Sequence, residues 1–213
     1  MELSGSQDWR DSSGDTDMPS PWPELDEHLH LRSGHLIGIG APAGSREAEA
    51  GYDLALHTAA RGERTVLYAP ELTPRNPVPN LEIRRRGLSP QNIEAVLESR
   101  AATSSPVELV VIDHFALMQT NDDEPIVQPE QAADLGRRLK MLASGAPIVV
   151  MARLTAPTHD PDPLQPHHLG LARELEYDAD TLLLMHRTGP HHVDVLIAKD
   201  RYSYAPRKAG FTW

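Results

Sequence analysis

The chain has 213 residues, 39% of them hydrophobic, and a formal net charge of −11. That length allows one domain with a sizeable core plus a polar segment, and no apolar run is long enough to span a bilayer. The absence of cysteine excludes disulfides and thiolate metal sites, and the acidic balance argues against a broad nucleic-acid grip, which draws most of its affinity from basic groups on phosphates.

Residues 1–19 are rich in Ser, Gly and Asp without hydrophobic period, which predicts a disordered acidic tail in which Trp9 reads as a stray aromatic rather than a docking anchor for a partner. The start MELSGSQDWRDSSGD has no basic-then-apolar leader pattern, so a soluble cytoplasmic protein is the expectation. The folded part is expected over 20–213. Its first strand is LIGIG (36–40), followed by a helix from about Arg46 to Arg61 and a second strand TVLYA (65–69). Ser89 followed by Pro90 predicts a helix start, because a side-chain cap and then proline at the first position suit the unpaired amides of a first turn. That helix should run to about Ala101.

VELVVID (107–113) is the clearest strand, continuously apolar and ending in a carboxylate. Ala132, Leu135, Leu139 and Leu142 recur at helical spacing within 130–144, with Gly145 as the stop. IVVMA (148–152) follows as a buried strand, then a Pro-, Asp- and His-rich loop over 155–168 and a short helix near 169–176. TLLLMH (181–186), a TGP turn and VDVLIAK (193–199) predict a hairpin at the sheet edge. Short apolar strands alternating with helices mean an α/β fold, a mostly parallel sheet flanked by helices.

Ligands of open parallel sheets bind at the carboxyl ends of the strands, and here Gly40, Glu71, Asp113 and Arg153 stand at such ends. GAPAGSREA (40–48) lies where a strand turns into a helix, the place of a phosphate-cradling loop. The nucleotide-binding form G-x-x-x-x-G-K-[ST] needs a glycine for close backbone approach, a lysine on the β/γ-phosphates and a hydroxyl on Mg²⁺. Counted from Gly40, those places hold Ser45, Arg46 and Glu47, with Gly44 one place early. Arginine keeps the charge but not the compact ammonium, and Glu47 puts an anion where a magnesium-binding hydroxyl would sit. No lysine occurs before Lys140; the others are Lys199 and Lys208. The pairs His28/His30, His167/His168 and His191/His192 lack a third ligand at zinc-type spacing and read as exposed loop residues.

VVIDHFALM (110–118) resembles the magnesium-aspartate segment of DnaB-type replicative helicases, where the strand ends Ile-Asp-Tyr and continues Leu-Gln-Leu-Met. ADLGRRLKMLA (133–143) is similar to the family helix that follows. LARELEYDADTLLLMHR (171–187) resembles the segment ending Glu-Gln-Asp-Ala-Asp, a strand and Tyr-Arg, and VLIAKDR (195–201) resembles Ile-Gly-Lys-Gln-Arg. PWPELDEHLHLRSGHLIGIGAPAGS (21–45) is similar to the lead-in of the family's C-terminal motor domain, so the resemblance covers about 20–213 in order.

The resemblance implies a RecA-like P-loop NTPase fold. It implies that Glu71 falls on the glutamate polarising the attacking water, Asp113 on the magnesium aspartate, and Lys199 and Arg201 on the Lys-x-Arg pair that reaches a neighbouring subunit's γ-phosphate. Arg153 stands where the family has glutamine, and Asp178 and Asp180 read as structural. The loops corresponding to the family's central channel, QTNDDEPIVQPEQ (119–131) and TAPTHDPDPLQPHH (155–168), carry carboxylates, prolines and histidines in place of basic groups. The expectation is a catalytically impaired pseudo-ATPase with ATP and Mg²⁺ absent, DNA binding weak or lost, and an intact helicase-like subunit or another replication protein as partner. The family's collar and linker helix have no counterpart here, which argues against a self-contained ring hexamer. An active, divergent ATP-dependent DNA helicase in which Arg46 replaces lysine is the alternative, and a structural scaffold is a third reading.

Overall fold

The computed structural model describes residues 17–42, 45, 49–72, 77–103, 105–119, 126–155, 164–203 and 206–212. In chain order these form α1 (Asp26–Leu29), β1 (Leu36–Pro42), α2 (Ala50–Ala60), β2 (Thr65–Tyr68), β3 (Leu81–Arg84), α3 (Pro90–Ala101), β4 (Leu109–Asp113), α4 (Pro129–Leu142), β5 (Ile148–Leu154), α5 (Leu175–Asp178), β6 (Thr181–Arg187), β7 (His192–Asp200) and β8 (Arg207–Thr212). The strands make one eight-stranded sheet in the order β3-β2-β4-β5-β1-β6-β7-β8. All pairs are parallel as far as β6, and β7 and β8 then join antiparallel.

Alternation along each buried strand sends side chains to two cores. Val110 and Ile112 of β4 pack with α3, α4 and α5 on one face, and Leu109 and Val111 pack with α2 and the lead-in segment on the other. Burying each such aliphatic side chain contributes about 1.5–3 kcal/mol. Gly40 is a strand residue, paired with Ala152 and Leu184. A Cβ there would meet methyl carbons of Leu169, Leu154 and Leu184 at 2.8–2.9 Å, so glycine at 40 makes room for the leucine layer. Gly51 does the same on the opposite face, where a Cβ would stand 2.6 Å from Cγ of Met151, and so lets α2 lie close on the sheet.

The expected helix over 90–101 is present, with the Ser89 hydroxyl accepting from the Asn92 amide and Pro90 opening the first turn. In α4 Ala132, Leu135, Gly136 and Leu139 are buried, and the Gly145 amide donates to the Leu142 carbonyl beyond its end. The strand expected to stop at Gly40 continues to Pro42, and α2 is described from Ala50. Its expected start at Arg46 lies outside the described residues, as do Gly44, Glu47, Trp9 and most of both channel-type loops.

Three expectations are corrected. The β6–β7 hairpin is present but is not the edge, because β8 pairs outside β7 with Phe211 buried against Trp22, ring centroids 5.5 Å apart. The polar tail was expected to run through residue 19, yet Met18 bridges Leu31 and Asp17 pairs with His30 and Arg32. His28, expected exposed, is 3% exposed, its Nδ1 lying 3.2 Å from Asp200, whose other neighbours are Ser203 and Arg207. That cluster ties the lead-in helix to the β7–β8 turn across the sheet, which a two-residue spacing of histidines could not reveal.

Candidate nucleotide site

β2, β4 and β5 are neighbours in parallel register, so their carboxyl ends lie in a row: Tyr68 opposite Ile112, and Asp113 opposite Met151. Three of the polar strand-end residues expected from sequence meet there. Arg153 lies two places beyond Met151, on the same side of the sheet, and its guanidinium stands 3.3 Å from the Glu71 carboxylate. Asp113 is half-buried. Burial pushes its carboxyl above the ordinary carboxylate range, Arg153 opposes that rise, and the charge of Glu71 adds to it. Both Glu71 and Arg153 are well exposed, so their pairing is a weak contact.

β1 delivers the loop after Pro42 beside this row. Ser45 is the described part of it: its hydroxyl donates to the Pro42 carbonyl at 2.7 Å and its amide to the same oxygen at 3.3 Å. The hydroxyl is thereby used to close the turn.

His114 belongs to the row and was not among the expected site residues. It is 6% exposed, and neither ring nitrogen has a hydrogen-bond partner among the described residues. Burial and then Arg153 hold its pKa below the ordinary value, with Glu71 opposing. A buried polar group without a partner costs about 1–3 kcal/mol. The signal was its place directly after the strand-end aspartate, where only a contact map could show that the ring turns inward.

Lys199 and Arg201 are at the other end of the sheet. Lys199 is opposite Leu182, near the amino end of β6. Its ammonium donates to the carbonyls of Glu176 (2.6 Å) and Tyr177 (3.1 Å) in the last turn of α5, a position that suits a cation at a helix C-terminus. Arg201 faces Asp180 at 3.2 Å. Asp180 itself is fully buried and accepts from the Leu36 amide at 2.8 Å and the Lys140 ammonium at 2.6 Å. It lies four residues before Leu184, the partner of Gly40, which is roughly 13 Å at ~3.3 Å per strand residue. One chain therefore cannot bring Lys199 and Arg201 to its own strand-end row.

The sequence profile of the DnaB-like helicase C-terminal domain matches residues 80–206. The chain belongs to that family. The match takes in Asp113, Arg153, Lys199 and Arg201 and begins after Gly40, the loop that follows β1 and Glu71. Solved structures agree in fold. The ATPase domain of G40P superposes with a TM-score of 0.77 at 16% identity, covering 93% of this chain and 88% of that one. A DnaB-like replicative helicase, whose structure was described with its interactions with primase, superposes with a TM-score of 0.74 at 17% identity. Here the alignment covers 95% of this chain and 62% of that chain. No curated protein matches the sequence. In this DnaB-like domain Glu71, Asp113 and Arg153 gather at the carboxyl ends of the strands, and Lys199 and Arg201 lie near the amino end. No helix among the described residues is long and apolar enough to cross a membrane, and no group of three metal-ligating side chains occurs among them.

Proposed function

We propose that this DnaB-like domain is a pseudo-ATPase acting as a binding or regulatory module in DNA replication or a related process. The reading rests on one observation above all. The loop after β1 carries Arg46 and Glu47 where a phosphate loop needs lysine and a magnesium-binding hydroxyl. Mg²⁺ with a nucleotide does not fit this donor set: Glu47 competes with the phosphates, and Ser45, the one hydroxyl nearby, is spent on Pro42. Glu71, to which the resemblance gives the water-polarising role, lies 3.3 Å from the Arg153 guanidinium in an exposed pair. No cofactor is therefore expected. The loops that replace the family's channel loops are acidic and proline-rich, so DNA held in the family's manner is weak or absent. The partner we favour is an intact helicase-like subunit or another replication protein, whose site Lys199 and Arg201 could complete in trans after leaving their contacts with α5 and Asp180.

One observation favours a second reading. Glu71, Asp113 and Arg153 do gather where a catalytic row would lie, and Arg46 retains a positive charge, so a divergent active helicase remains the alternative. Isothermal calorimetry with ATP and Mg²⁺ tests the choice. The expected result is no saturable heat, and no ATP turnover above background. Magnesium-dependent turnover that disappears in Asp113→Ala overturns the pseudo-ATPase reading and promotes the helicase.

A further inference from the structure

Helices α3 and α4 pack on the same face of the sheet, and a groove of about 790 Å³ runs between them. Leu97, Val107, Met141 and Leu142 give it an apolar floor. Its two rims differ in sign. Glu94 and Glu98 stand one turn apart on α3, exposed and without an ion pair among the described residues. On α4, Arg137 and Arg138 share the single carboxylate of Asp134 at 3.6 and 3.1 Å, which leaves that rim positive. Met141 is 74% exposed, the most exposed large apolar side chain among the described residues. An apolar floor between an acidic and a basic rim fits a large apolar side chain flanked by one charge of each sign.

The chain carries such a segment in Asp8-Trp9-Arg10, which precedes the first described residue, Asp17. Composition alone reads Trp9 as a stray aromatic, but the place where the chain enters the fold gives it a surface within reach. The Met18 amide donates to the Leu31 carbonyl, and the Gly34 amide donates to the Ala143 carbonyl, two residues past Met141. The entry point therefore lies towards the end of α4 that lines the groove. The eight residue steps from Trp9 to Asp17 span about 26–29 Å when extended. That exceeds the few residue spacings that lead from Leu31 through Gly34 to Met141.

We propose that Asp8-Trp9-Arg10 docks in the α3–α4 groove of its own chain. The indole lies on Met141 and Leu97, Arg10 faces Glu94 and Glu98, and Asp8 faces Arg137. Thioether against indole is a favourable contact, and the two flanking charges fix which way the segment runs. The docked segment covers an apolar surface that otherwise faces solvent. This contact is independent of the strand-end row and of any nucleotide.

The test is peroxide oxidation of the full chain, followed methionine by methionine with mass spectrometry. Met141 should oxidise at least about fivefold faster in Trp9→Ala than in wild type, the scale on which a buried aromatic anchor holds its segment. Met118, fully buried, should keep its rate in both, and circular dichroism checks that the variant is folded. Arg10→Glu should speed Met141 oxidation roughly two- to fivefold, the weight of an exposed ion pair. Adding Glu94→Arg and Glu98→Arg to that variant should restore the protection, which a merely structural role of either rim would not do. Equal Met141 rates in wild type and Trp9→Ala overturn the proposal, as does a charge reversal that restores nothing. So does a wild-type dimer in analytical ultracentrifugation that Met141→Glu converts to monomer, which would make a second copy the occupant of the groove.

Discussion

The two ends of the central sheet treat buried charge in opposite ways. At the amino end, Asp180 is fully buried with two donors, the Leu36 amide and Lys140, on one oxygen, while the other has Arg201 beside it at 3.2 Å as an ion pair without a hydrogen bond. At the carboxyl end, Asp113 is half-buried with only Arg153 opposing the cost, and His114 is buried with both nitrogens unpartnered among the described residues. The first arrangement joins α4, β1, β6 and the β7–β8 turn into one body. The second leaves His114 buried without compensating hydrogen bonds among the described residues, at a cost its own neighbours do not offset.

The largest expected effect comes from breaking the end where the buried carboxylate has two donors on one oxygen. Asp180→Ala removes the acceptor for Leu36 and the counter-charge of Lys140, and should cost about 3–5 kcal/mol. Thermal denaturation should show the melting temperature falling by about 6–20 °C, at ~2–4 °C per kcal/mol for a domain of this size. Asp180→Asn, which can still accept from the Leu36 amide, should cost less. Equal melting temperatures for wild type and Asp180→Ala would remove the structural role given to this hub.

A smaller effect should come from His35, which lies next to that hub. It is 5% exposed, and its Nε2 accepts from the Arg32 side chain while its ring stacks on Tyr202 at 4.9 Å. Burial lowers its pKa to about 4, with Asp180 opposing. Folding thus favours the neutral ring. The stability this contributes is present above the unfolded value of about 6.5 and is lost as pH falls through about 4, by about 2–3 kcal/mol in all. Urea unfolding at a series of pH values should show this fall, and His35→Gln should flatten it between pH ~6.5 and ~4. An unchanged pH profile in the variant would place the acid sensitivity elsewhere.

The smallest effect, and the one opposite in sign, should come from the unsatisfied end. The raised pKa of Asp113 means that folding favours its protonated form. Its contribution is present below the ordinary carboxylate pKa and is lost as pH rises through the folded value. At neutral pH the carboxylate is therefore a liability, and Asp113→Asn should stabilise the fold slightly. The gain should shrink as pH falls to the carboxylate range. Destabilisation of Asp113→Asn at neutral pH would mean that the aspartate is a structural ligand after all.

Legibility from sequence followed the range of the forces involved. Helix α3 was readable because its start is a local event, Ser89 capping the amide of Asn92 three residues on. Asp113 was readable because an apolar run ending in a carboxylate marks a buried strand and its tip. β3 was not readable: LEIR is short and half-buried along its length, and becomes a strand by pairing with β2. β8 was missed for the same reason, since RKAGFT has one buried anchor, Phe211, and its partner Trp22 lies in the lead-in segment. In the site, the strand-end residues were readable individually, but the contact of Glu71 with Arg153, 82 residues apart, was not.

The amino-acid sequence by itself determined the α/β alternation, the family and the presence of Arg46 and Glu47 in the loop after β1, because periodicity, capping and motif residues act over a few neighbouring positions. Only the tertiary structure decided that Lys199 is held by the end of α5 and Arg201 by Asp180, that His28 is buried against Asp200, and that His114 faces inward without a partner among the described residues. Those outcomes depend on which strand lies beside which and on what remains within hydrogen-bonding distance once the sheet has closed, and no local pattern along the chain encodes that distance.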